Sequence, residues 1–130
     1  MLDLLRMTEA QINALEAGSE IDALVAKYIF GKILVERKKL VSILFLDDKG
    51  NACPIEKYSS DIGVAWKIIH AMKARGFSYS ISSYLHPNQT EVCFNSSDFR
   101  AVGVGKDEPM TICRAALLLM RNILNREAAK

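Results

Sequence analysis

The sequence is short of most features that commit a chain to one specialised environment. Its three cysteines, Cys53, Cys93 and Cys113, are odd in number and far apart. That argues against a disulfide framework and against the paired spacings of a structural zinc site, and it points to a reducing compartment. Of the two histidines, His70 follows Ile69 inside a helical pattern and His86 precedes a proline, and neither has a second ligand nearby, so no metal centre is expected. Charge of one sign is missing too: 17 basic and 15 acidic residues leave a formal net charge of +2, short of the basic excess of a dedicated nucleic-acid binder. The longest apolar stretch, Ala115–Met120, falls far below a membrane span. The opening residues carry Asp3 and no apolar run of signal-peptide length, so a cytoplasmic protein is expected. A phosphate-binding glycine loop is absent as well, because Gly103–Lys106 lacks the upstream glycine and the downstream hydroxyl.

What is present reads as an ordinary globular chain. At 130 residues, 50% apolar and 25% charged, it is expected to form a single domain over residues 1–130, with no linker, repeat or low-complexity segment. Thr8 and Gln11 have the spacing of a capping box, and Ile12 and Leu15 then share a face up to Gly18. Ile21, Leu24, Val25, Tyr28 and Ile29 make a second helical stripe that Gly31 ends. Leu40–Leu46 is a nearly continuous run of strand formers closed by the turn residues Asp47–Asn51, which suits a central strand covered on both sides. The preceding residues 32–36 are either its partner strand or the tail of the helix before them.

The stretch KYSSDIGVAWKII, residues 57–69, concentrates two hydroxyls, an acid and the single tryptophan. Its chemistry is that of a helix start: Ser59 or Ser60 accepts from first-turn amides, and Asp61 sits where the helix dipole favours negative charge. An anion site there is disfavoured because Asp61 would repel the ligand. Ile62, Ala65, Trp66, Ile69 and Met72 form the apolar stripe, and Gly76 closes the helix. Phe77, Tyr79 and Ile81 then alternate with Ser78, Ser80 and Ser82 in a strand pattern, and Val92 and Phe94 return in a second. Phe99–Gly105 adds a short edge strand with two glycines. Pro109 opens a last helix whose stripe, Met110, Cys113, Leu117, Met120 and Leu124, is widened by Ile112, Ala116, Leu119 and Ile123, so the helix should be largely buried.

This order predicts an α+β domain: a layered α/β/α sandwich with a small, mainly antiparallel sheet of three to five strands and helices packed on it. Three segments together, INALEAGSEIDALVAKYIFG, YSSDIGVAWKII after a proline-bearing connector, and PMTICRAALL, resemble the phage ABA sandwich domain family over roughly residues 8–122. Ser60 stands where the family's YSTDI has threonine, and the segment from Lys32 to Asp48 is longer than the family's tryptophan-containing connector. The resemblance implies an α/β/α layered fold and a bacteriophage or prophage gene acting in the infected or lysogenic host. It implies no activity at particular residues.

No catalytic, cofactor or metal residues are assigned, and an enzyme is not expected. Cys113 lies on the apolar stripe and reads as a packed thiol. The expected function is that of a phage accessory protein working as a non-enzymatic interaction module, with another copy of itself or a host or phage protein as partner. A second reading is a binder that sequesters a small nucleotide signal, with Arg100, Lys106 and Arg114 converging on a pocket between subunits. A third is nucleic-acid binding through Lys32, Arg37, Lys38 and Lys39 or through Arg114, Arg121 and Arg126, although Glu36, Asp47 and Asp48 dilute the first group.

Overall fold

The computed structural model describes residues 3–37, 42–85 and 88–129. A 3-10 turn at Leu4–Arg6 precedes α1 (Glu9–Asn13) and α2 (Ser19–Tyr28), then β1 (Ile33–Arg37), β2 (Ser42–Leu46), β3 (Ala52–Pro54), α3 (Ile62–Ala74), β4 (Ser78–Tyr84), β5 (Gln89–Asn95), β6 (Arg100–Gly105) and α4 (Glu108–Ala128). The expected α+β class holds. The strands are shared between two antiparallel three-stranded sheets, β1-β2-β3 and β4-β5-β6, where a single sheet was expected.

The Thr8 capping box forms as its spacing predicts, with Thr8 Oγ1 accepting from Gln11 N and the Gln11 side chain accepting from Thr8 N. Gly18, expected to stop α1, is the N-cap of α2, and α1 already ends at Asn13. Asp61 alone caps α3, its Oδ1 accepting from Gly63 N at 2.9 Å and Val64 N at 3.3 Å. The two serines expected to share that role do not. Gly76, at φ 92°, ends α3 in the left-handed region and turns the chain into β4.

Residues 33–37 settle as strand, β1, paired with β2 from Ile33 opposite Leu46 to Arg37 opposite Ser42. A third partner, β3, comes from the segment read as a connector. Three residues ending in proline carry no periodic signal, and Pro54 is tolerated because it lies at a strand end. The β2 strand is central in its own sheet, but Ile43–Leu46 are only half-buried, since the sheet touches the body of the protein through α2. Leu40 and Val41, the start of that apolar run, lie outside the described residues.

The core is organised around α4. Every residue from Met110 to Met120 is buried. One side of the helix lies on β5 and β6, and the 3-10 turn, α1, α2 and α3 pack around the rest. Facing it, Thr90, Val92 and Phe94 of β5 pair in register with Gly105, Gly103 and Ala101 of β6. At Gly103 the approach is so close that a Cβ would lie 2.5 Å from the Ala115 nitrogen. The two glycines of the RAVGVG strand therefore exist for packing helix onto sheet.

Candidate functional site

Within one chain, the basic residues expected to converge on a pocket between subunits lie apart. Arg114 is only 8% exposed, and its guanidinium is spent inside the fold: Nε and Nη2 donate to the Leu15 carbonyl at 2.9 and 2.6 Å, and Nη1 to the Val104 carbonyl at 2.7 Å. Burial pulls its pKa down, with Asp107 and Glu16 opposing. Arg100 opens β6 and Lys106 lies just past its end, both exposed and separated by about 20 Å at the usual rise of a strand. The second basic group dissolves likewise, because Arg121 donates to the Met7 carbonyl at 3.3 Å and Arg126 lies 5.0 Å over the Phe99 ring. Of the first group, Lys32 sits 5.0 Å over the Phe45 ring and Arg37 ends β1, whereas Lys38 and Lys39 lie outside the described residues.

The thiols follow their surroundings. Cys113 is fully buried, and that burial pushes its pKa well above the ordinary value, so it stays a neutral thiol at physiological pH. Cys53 lies 3.7 Å from Asp47 Oδ2 in the turn after β2, where Asp47 Oδ1 accepts from Lys49 N at 2.9 Å and Asn51 N at 2.8 Å. Those bonds, that from Asn51 first, hold the Asp47 carboxyl below its usual range. Asp47 thus closes the turn. His70 is exposed on α3, and His86 lies outside the described residues.

Among the described residues, two features stand out that packing does not consume. The first is β4, an edge strand exposed along nearly its whole length, with Tyr79 37%, Tyr84 47% and the adjoining Leu85 84% exposed. Trp66, expected on the buried stripe of α3, is half-buried and meets Tyr79 edge-on at 5.9 Å between ring centres. Both departures have one cause: α4 covers β5 and β6, so β4 and the α3 residues beside it overhang the core.

The second feature is a cleft of about 440 Å³ between the first sheet, the start of α2 and the loop before α3. A bracket of hydrogen bonds fixes its floor. Gly18 N donates to Ser59 Oγ at 3.0 Å, and Ser59 N donates to Asp22 Oδ1 at 2.8 Å. Ser59 is thus the joint between α2 and the loop before α3. Beside it, Tyr58 stacks on Phe30 with ring centres 5.1 Å apart.

Asp22 is 6% exposed, and burial raises its pKa above the ordinary 3.8, although hydrogen bonds from Ser59 and the charge of Lys57 pull the other way. A carboxyl that holds its proton more tightly when folded loses stabilising weight as pH rises through that interval. The stability of Asp22→Asn relative to the parent is therefore expected to increase from about pH 4 upward and then level off, read from urea midpoints. A difference that falls over the same range would show Asp22 to be stabilised as the anion.

A family model, the phage ABA sandwich domain, matches residues 23–117, most of the chain, from within α2 to the middle of α4. The chain belongs to this family. Among solved structures, a phage protein from Bacillus cereus ATCC 14579 is similar in fold, with a TM-score of 0.64 and 22% identity over 82% of this chain and 93% of that one. No curated protein matches the sequence. As a phage ABA sandwich protein the chain has an α+β fold, and among the described residues no helix is long and apolar enough to cross a membrane.

Neither surface feature was visible beforehand as a site. Edge position is a property of the assembled sheet, and the bracket joins residues 37 and 41 positions apart. The one local signal was the row of serines in β4, which marks a face that meets no core.

Proposed function

We propose that this phage ABA sandwich protein works as a non-enzymatic interaction module in the infected or lysogenic cell, docking through the edge of β4 with a second copy of itself. The observation that carries the reading is the composition of that edge. Natural sheets blunt an open edge with lysine, proline or a bulge, because unpaired backbone groups invite another strand. In β4 the residues SYSISSY include none of these: seven residues without charge or proline pair regularly with β5 along the other side.

Neutrality favours an identical partner. A two-fold axis at Ile81 sets Tyr79 opposite Ser83, Ser80 opposite Ser82 and Ser78 opposite Tyr84, so no like charges meet and each aromatic ring lies against a small side chain. The product is one continuous antiparallel sheet in which the overhanging Tyr79 and Trp66 gain cover.

Sedimentation velocity is expected to find a dimer, and Ile81→Lys, which puts a charge on the axis facing its own copy, is expected to give a folded monomer. A parent that stays monomeric at about 100 μM, a concentration well above the dissociation constants of specific dimers, would sink this reading.

A further inference from the structure

We infer that the cleft beside the Gly18–Ser59–Asp22 bracket is a binding site for a small neutral molecule that has an apolar ring body and an N–H donor, with Asp22 as the acceptor. The inference is independent of self-association through β4, which lies on the other sheet. Ligand sites are typically concave, a few hundred Å³ in volume, mostly apolar, and furnished with a few convergent polar groups. This cleft has about 440 Å³ and divides in that way. Leu44, Pro54 and Ile55 supply an apolar wall from the first sheet, and Asp22, Lys57 and Ser60 face them from the helical side.

The charges select the ligand. Although the start of α2 offers backbone amides, Glu20 and Asp22 in its first turn already answer the positive end of the helix, and in the cleft lining Lys57 is balanced by Asp22, so a phosphate or carboxylate gains little there. A neutral donor is treated differently. Asp22 is buried with burial outweighing its hydrogen bonds, and a ligand N–H supplies part of what the carboxylate lost with its water. The bracket holds the acceptor in place before the ligand arrives, which limits the ordering cost of binding.

The test uses two fluorescent probes with the same ring body. N-phenyl-1-naphthylamine is neutral with one N–H, and 8-anilino-1-naphthalenesulfonate adds an anion. Titration of the whole chain is expected to show saturable emission from the neutral amine at one probe per chain, with the sulfonate bound about tenfold more weakly or worse. Ser60→Trp fills the mouth from an exposed position and is expected to weaken the amine about tenfold, whereas Lys106→Trp, of equal bulk beyond β6, leaves it unchanged. Unsaturable emission, a sulfonate that binds as tightly as the amine, or equal losses in the two tryptophan variants would each overturn the assignment. The probe comparison needs no variant, so a folding defect cannot shelter the proposal.

Discussion

Replacing Gly103 by alanine is expected to remove about 3 kcal/mol of stability, a large share of what a domain of this kind holds. The added Cβ would stand 2.5 Å from the Ala115 nitrogen and 2.9 Å from its Cα and Cβ. The obstacle is helix backbone, which has no rotamer to change, so strand and helix must separate along the length of the core. Gly105 provides the internal comparison. There the nearest atom, also at 2.5 Å, is the hydroxyl of Thr111, a side-chain atom that can move at the expense of its bond to the Asp107 carbonyl. Gly105→Ala is therefore expected to cost clearly less than Gly103→Ala in the same urea titration. Ala115→Gly added to Gly103→Ala should restore only part of the loss, because it removes one obstructing atom and leaves the nitrogen. Equal costs at the two glycines would mean that the helix does not rest on β6 at this distance.

Arg114→Met is the second large effect, expected near 3 kcal/mol. Its three hydrogen bonds hold the end of the α1 segment, through Leu15, and the end of β6, through Val104, to the same side chain. Methionine fills much of the space but leaves both carbonyls without their donor in a partly buried site. Lysine is the sharper probe. It keeps the charge yet lacks the planar fork that reaches two carbonyls on different elements, so Arg114→Lys should recover less than half of the loss. Full recovery by lysine would show that charge alone matters there.

Much of the fold was legible because it depends on local signals. The Thr8–Gln11 box, the stop at Gly76 and the breadth of the α4 stripe each state their structure within a few residues, and all three appear as read. The failures share a different character. Arg114 looked like part of a basic surface because sequence spacing cannot show that a helix is covered on every side. Ser59 looked like a cap because its true partners, Gly18 and Asp22, lie on another helix. Trp66 and Tyr79 looked buried because periodicity reports which residues share a face and not whether the neighbouring layer extends far enough to cover it. The candidate surfaces belong mostly to this second kind of information, the row of serines in β4 being the local exception.

The central position of α4 has a consequence for how the protein comes into being. It is the last described element to be synthesised, yet the turn at Leu4–Arg6, α1, α2, α3, β5 and β6 all rest on it, and the Leu15–Arg114 link alone spans 99 positions. Until those final turns of helix are made, the earlier segments have apolar faces and nothing to bury them against. A chain ended before α4 is thus expected to be open to proteases along most of its length.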